Sequence, residues 1–123
     1  MAVVVDASAL AAVAFGEVGS DRVRGVLRGQ ALTAPTLLDY ELASVAWKKS
    51  RRVPAEANAI LAALTAVRRV RIARVQPDMV QVLALAAATG LTPYDASYLW
   101  VAKSLGVPLV TLDRELARAA ERR

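Results

Sequence analysis

Short apolar runs separated by amphipathic, helix-length stretches predict a three-layer α/β/α fold with a mostly parallel central sheet. Three observations carry that expectation. Ala2 to Val5 is a continuous apolar run of strand length closed by Asp6, as expected of a strand buried on both faces. Each later strand candidate is separated from the one before it by at least one helix, as parallel crossovers require. The stretch Leu91 to Arg114, LTPYDASYLWVAKSLGVPLVTLDR, runs helix start, helix, Gly stop, strand and second helix start without a wasted residue.

Taken in order, Asp6 is a natural N-cap for a helix over Ala7 to Phe15, which Gly16 and Gly19 break. Ser20-Asp21 starts a second short helix with Arg22, Arg24 and Arg28 on its polar side, and Leu32 to Ala34 reads as the second strand. Pro35-Thr36 opens a long helix running to about Arg52. Thr36 and Asp39 have capping-box-like spacing, which gives Asp39 a structural role. Glu41 has no such explanation. Its helical neighbours at three and four residues are Leu37, Leu38 and Val45, which places its carboxylate on the apolar seam. The same helix ends in Lys48, Lys49, Arg51 and Arg52, favourable for the dipole and suited to contacting phosphates.

Pro54 begins another helix, with Ile60, Leu61, Leu64 and Val67 apolar. Val70 to Val75 alternates apolar residues with Arg71 and Arg74, the pattern of a strand near a sheet edge. Pro77-Asp78 starts the helix containing Val82, Leu83 and Leu85, and Thr89-Gly90 ends it. Thr92 caps the next helix, with Pro93 at its first position, Asp95 in its first turn and Gly106 at its end. Val107 to Leu112 reads as a buried strand, and Asp113 opens a terminal helix over Arg114 to Arg123. No repeat, low-complexity linker or composition shift divides the chain, so residues 1–123 are expected to form a single domain.

Composition narrows the chemistry. With 56% apolar residues the chain folds rather than staying disordered. The absence of cysteine excludes disulfides and thiolate metal sites and fits a reducing cytoplasm. The absence of histidine removes Ser–His and Cys–His nucleophile systems and the common zinc sites, leaving carboxylates to carry any acid–base or metal chemistry. The apolar N-terminus lacks a basic flank and is interrupted by Asp6, unlike a signal peptide, and no uncharged run approaches bilayer-spanning length. The net charge of +5 suits a polyanion, and is equally the signature of an arginine-rich composition with a solvated basic face.

Four acids converge on this reading: Asp6, Glu41, Asp95 and Asp113. Asp6 and Asp113 each directly follow a strand. Asp95 lies in the first turn of a helix antiparallel to the strand that follows it, so it starts at that strand's carboxyl end, the edge where open α/β sheets bind ligands. Glu41 faces the sheet from about one turn inside its helix. Carboxylates gathered this way repel one another, and a divalent cation offsets the repulsion. Oxygen-only ligands favour Mg²⁺ or Mn²⁺, which lower the pKa of bound water and stabilise charge on a phosphoryl oxygen. Phosphodiester hydrolysis needs both services and no histidine. Each acid also has a plain structural explanation: Asp6, Asp95 and Asp113 as helix caps, and Glu41 reaching solvent or Lys48 and Lys49. Agreement in location separates the two readings. Ser8 and Thr111 are placed to orient a ligand, or simply to satisfy backbone in a first turn and a strand. Tyr94, Tyr98 and Trp100 form no spaced stacking platform, and Trp47 and Trp100 fit core or interface positions.

The segments VVVDASAL, TAPTLLDYELASVAWK and TPYDASYLWVAKSLGVPLVTLDREL resemble PIN-domain proteins, and more narrowly the VapC-type toxins of toxin–antitoxin pairs. The resemblance covers nearly the whole chain in the right order. It implies a PIN-like fold and Mg²⁺- or Mn²⁺-dependent endoribonuclease activity in a homodimer. It also implies neutralisation by a small antitoxin covering the active-site groove. Carried over by motif, Asp6, Asp95 and Asp113 hold the ion, and Glu41 acts directly or through a bound water. Asp39 is an extra carboxylate beside Glu41. Two other classes stand against this one: a non-catalytic module docking a partner through Val13, Phe15 and Trp47, and a phospho-acceptor domain. The latter fits poorly, since a single acid ends the first strand and Lys103 lies inside a helix.

Overall fold

Val3, Val4 and Val5 are buried because their strand, β1 (Ala2–Val5), is an inner strand of the sheet with helices covering both of its faces. The computed structural model describes residues 1–122. After β1 come α1 (Ala7–Phe15), α2 (Ser20–Leu27), β2 (Ala31–Pro35) and α3 (Leu38–Arg52). A 3-10 turn at Pro54–Glu56 leads into α4 (Ala57–Val67) and β3 (Ile72–Val75). The chain closes with α5 (Met79–Thr89), α6 (Pro93–Leu105), β4 (Leu109–Val110) and α7 (Arg114–Glu121). Of the predicted terminal helix, Arg123 lies outside the described residues.

The sheet order is β3-β2-β1-β4, and every pairing is parallel. Helices α1 to α4 pack against one another, while α6 packs against β1, β2, α5 and α7, giving the expected three layers. The order has a mechanical consequence. The chain winds outward from β1 through β2 to β3, then returns to the other side of β1 as β4. The crossovers therefore reverse between β1 and β4, and a crevice opens beyond the carboxyl ends of those two strands.

α6 is the helix that ties sheet to helices. Ala96, Tyr98, Leu99, Val101 and Ala102 are all buried along it. Thr92 accepts a bond from the Asp95 N–H at its start, and Gly106 stops it with φ 65°, a left-handed conformation favourable to glycine. One core cluster joins Val4, Val5, Leu10, Leu38, Leu42, Leu99 and Leu116 across the layers. Burying a side chain of this kind stabilises the fold by about 1.5–3 kcal/mol each.

Two expectations need correction. The Thr36–Asp39 capping box does not form: α3 begins at Leu38 with no side-chain cap. Thr36 instead donates to Gln76 Oε1 at 2.9 Å, and Asp39 pairs with Arg74 of β3. A cross-strand partner out-competes the local one because β2 and β3 run in register up to Pro35 and Val75. The strand predicted over Val107 to Leu112 shrinks to Leu109–Val110, half-buried at the sheet edge. Beyond Val110 the backbone leaves the ladder for side-chain partners, with Leu112 N–H donating to Ser8 Oγ and Asp113 N–H to Thr111 Oγ1.

Candidate active site

The crevice at the β1–β4 reversal is where the acids lie. Asp6 follows β1 directly and caps α1, its Oδ1 accepting the Ala9 N–H at 3.0 Å. Asp113 caps α7, its Oδ1 accepting the Leu116 N–H at 2.9 Å. Asp95 stands in the first turn of α6 and Glu41 in the first turn of α3. All four line one cleft of about 260 Å³, together with Ser8, Ser44, Lys48 and Tyr98. Asp6 and Asp113 are real caps, whereas Thr92 and not Asp95 caps α6, and the shared location holds for all four acids. The two readings of these acids are therefore compatible, since a cap uses only one carboxylate oxygen.

Asp6 is the floor of the cleft, 4% exposed. Ser8 Oγ donates to its Oδ1 at 2.8 Å and Thr111 Oγ1 to its Oδ2 at 2.6 Å. The two hydroxyls lie 3.3 Å apart, and each also accepts a backbone N–H from the turn after β4. They thus lock β4's exit onto the end of β1 while fixing the orientation of the carboxylate. On the opposite wall, Tyr98 Oη donates to Glu41 Oε1 at 2.6 Å. Asp95 is half-buried, and its carboxylate has no hydrogen-bond partner among the described residues. Asp113 is exposed. The acids grade from a buried, fully hydrogen-bonded floor to an open rim.

Electrostatics follow that gradient. Burial raises the Asp6 carboxyl above its ordinary range; the bonds from Thr111, Ala9 and Ser8 oppose the rise, and Asp113 adds to it. Glu41 is raised first by burial, then by the charges of Asp95 and Asp6, with the Tyr98 bond pulling the other way. Asp95 is raised by burial and by Asp113, Asp6 and Glu115. Each of these carboxylates feels its neighbours as unbalanced negative charge. Lys48 is the one cationic side chain lining the cleft among the described residues.

Residues 3–122 match the PIN domain family model. The chain belongs to the PIN domain family. It is 37% identical over 122 residues to Ribonuclease VapC3 of Pyrobaculum aerophilum, covering 95% of this chain and 93% of that one. It is also 37% identical over 112 residues to Exonuclease VapC9 of the same organism, covering 91% and 80%. Among solved structures, PAE2754 from Pyrobaculum aerophilum matches with a TM-score of 0.81 at 33% identity, over 98% of this chain and 86% of that chain. VapC20 of Mycobacterium tuberculosis, described as a sarcin–ricin-loop-cleaving toxin, matches with a TM-score of 0.69 over 99% and 100%. At 19% identity that likeness shows the fold alone.

Within this PIN domain the donor set offered to an ion is oxygen only, which suits Mg²⁺ or Mn²⁺. The uncompensated charge of the cleft suits a cation equally. The carboxylates are nevertheless not drawn into a closed cluster: among the described residues, no three are grouped tightly enough to be a ready-made ion site. The sequence expectation of a gathered quartet therefore holds for location and not for spacing. Their hydrogen bonds account for the spread. Glu41 is held toward Tyr98, Asp6 toward Thr111 and Ser8, and Asp113 Oδ1 toward its own helix.

Other expected participants of the PIN domain divide. Of the basic end of α3, only Lys48 reaches the cleft. Lys49 pairs with Glu17 and lies 5.5 Å from the Phe15 ring centroid, and Arg51 stacks over Trp47 at 4.9 Å. Helical phase explains the split, because Lys48 is two turns from Glu41 on the same face. The docking candidates also separate. Val13 and Phe15 line a groove of about 540 Å³ with Ile60 and Arg24, whereas Trp47 stands 56% exposed elsewhere. Tyr98 is the residue the sequence argument missed. Its signal was its position three residues after Asp95, which puts both on one face of α6.

Proposed function

We propose that this chain is a divalent-metal-dependent endoribonuclease and the toxin of a toxin–antitoxin pair. The observation that carries the reading is the convergence of Asp6, Glu41, Asp95 and Asp113 from four separate segments on one cleft at the sheet's reversal point. The names of the curated relatives, a ribonuclease and an exonuclease, support nuclease chemistry. The whole span of residues 1–123 is taken as one nuclease domain working in the cytoplasm as a homodimer. No helix among the described residues is long and apolar enough to cross a membrane.

In this reading Asp6, Asp95 and Asp113 hold Mg²⁺ or Mn²⁺, with Glu41 completing the set directly or through a water. When bound, the ion supplies an activated water and neutralises charge building on the phosphoryl oxygens. The chain's own groups do the rest. Ser8 and Thr111 keep Asp6 oriented, Lys48 draws an RNA phosphate to the mouth of the cleft, and the Asp95 carboxylate, with no hydrogen-bond partner among the described residues, turns toward the ion. The partner is a small antitoxin that covers the groove and blocks RNA entry.

The test is cleavage of a circular RNA by the purified protein with Mn²⁺. An endonuclease linearises the circle, and Asp6→Asn abolishes the reaction by roughly 100-fold or more while leaving the fold intact. A protein that degrades only linear RNA is an exonuclease instead. Cleavage by Asp6→Asn at the wild-type rate sinks the assignment.

A further inference from the structure

The bond between Tyr98 and Glu41 does something that packing alone does not require. Tyr98 is 1% exposed and among the largest fully buried side chains. Its ring belongs to the core cluster, where phenylalanine would fill the space with no polar atom to satisfy. The hydroxyl emerges at the cleft wall and reaches Glu41 Oε1 at 2.6 Å, across 57 residues of sequence. That length is characteristic of a bond to an ionised carboxylate. Glutamate has three side-chain torsions and sits here only half-buried, so without a partner its carboxylate samples many positions. With Oε1 engaged, Oε2 is the oxygen with no partner among the described residues.

Resting on the nuclease reading above, we propose that Tyr98 is a positioning residue for the ion site: its hydroxyl fixes Glu41 so that Oε2 alone is presented to the cation or its water. Tyr98 acts through Glu41 and not on the ion or the RNA directly. It acts on Glu41 much as Ser8 and Thr111 act on Asp6, so the two deepest acids of the cleft are both oriented from behind. Partners of this kind typically set ion affinity by 10–100-fold.

Tyr98→Phe keeps the ring and removes the bond. Apparent Mn²⁺ affinity, read from the ion-dependent rise in melting temperature, is expected to fall by about 10–100-fold, with a similar loss in kcat and an unchanged KM for RNA. Combined with Glu41→Gln, Tyr98→Phe should add nothing, because its effect passes through that carboxylate. Wild-type affinity and rate in Tyr98→Phe, or losses that multiply in the double variant, overturn the proposal. A wild-type protein whose melting ignores Mn²⁺ overturns the ion site together with it. A responsive wild type alongside an equally responsive Tyr98→Phe overturns this assignment alone. A crystal structure of the wild-type protein with Mn²⁺ gives a second reading that needs no variant. Glu41 should face the ion through Oε2 with Tyr98 still on Oε1; an ion bound to Oε1 overturns it.

Discussion

Thr111 Oγ1 donates to Asp6 Oδ2 at 2.6 Å, joining residues 105 positions apart at the ends of two adjacent parallel strands. The same oxygen accepts the Asp113 N–H at 3.0 Å. One hydroxyl thus orients the most buried acid of the cleft and shapes the turn that presents the most exposed one. Thr111→Val deprives both groups of their partner. It should lower stability by about 1–3 kcal/mol and cleavage by about 10–100-fold. Thr111→Ser, which keeps the hydroxyl, should stay near wild type in melting and single-turnover cleavage.

Asp39 and Glu41 lie two residues apart and have different jobs. Asp39 pairs with Arg74 at 2.7 Å, with both side chains substantially exposed. Asp39→Ala should therefore cost no more than about 1 kcal/mol and leave cleavage unchanged. Glu41→Gln removes a cleft charge but keeps an acceptor for the buried Tyr98 hydroxyl, and should reduce the rate by roughly 100-fold or more with little effect on melting. Equal losses for the two variants would contradict the helix-phase assignment.

Charge in the cleft makes stability depend on pH in a direction opposite to that of an ion pair. Burial and neighbouring acids raise Asp95 above its ordinary value of 3.8. Between that value and the raised one, the folded protein binds more protons than the unfolded chain. The stability it contributes is present in acid and lost as pH rises through that window. Without divalent ions, Asp95→Asn should melt above wild type at pH 7, the difference shrinking as pH falls toward 4. Saturating Mn²⁺ should reverse the order, since an ion at roughly 100 times its Kd stabilises the wild type by about 2.7 kcal/mol. Calorimetry across pH, with and without Mn²⁺, reads both.

Lys48 and Lys49 test whether the cleft meets a phosphate. Lys48 lines it, while Lys49 is engaged by Glu17 and Phe15. In the inactive Asp6→Asn background, Lys48→Ala should weaken RNA binding and lower the salt slope of the affinity by about 1. Lys49→Ala should leave that slope unchanged. A slope insensitive to Lys48 would place the RNA backbone elsewhere.

Much of this was written locally. Asp6 and Asp113 were legible because each closes an apolar run and opens a helix, and a helix N-terminus after a parallel strand lies at the ligand-binding edge. Glu41 was legible from phase, because Leu37, Leu38 and Val45 surround it on the seam. What failed was competition between partners. Thr36 had a local cap available and took Gln76 instead, and the β4 run was apolar enough for a longer strand until Ser8 and Thr111 claimed its backbone. Local spacing says which bonds are possible, and proximity in space decides which of them form.

The sequence by itself determined the layers, the parallel sheet, the oxygen-only chemistry and which four acids stand at the reversal of the chain. These depend on periodicity, caps and composition, which act over a few residues. Only the tertiary structure decided that Tyr98 meets Glu41, that Thr111 meets Asp6, and that Glu17 and Phe15 engage Lys49. A helix's phase names the face a side chain points from, and the packing of distant segments alone sets what stands opposite.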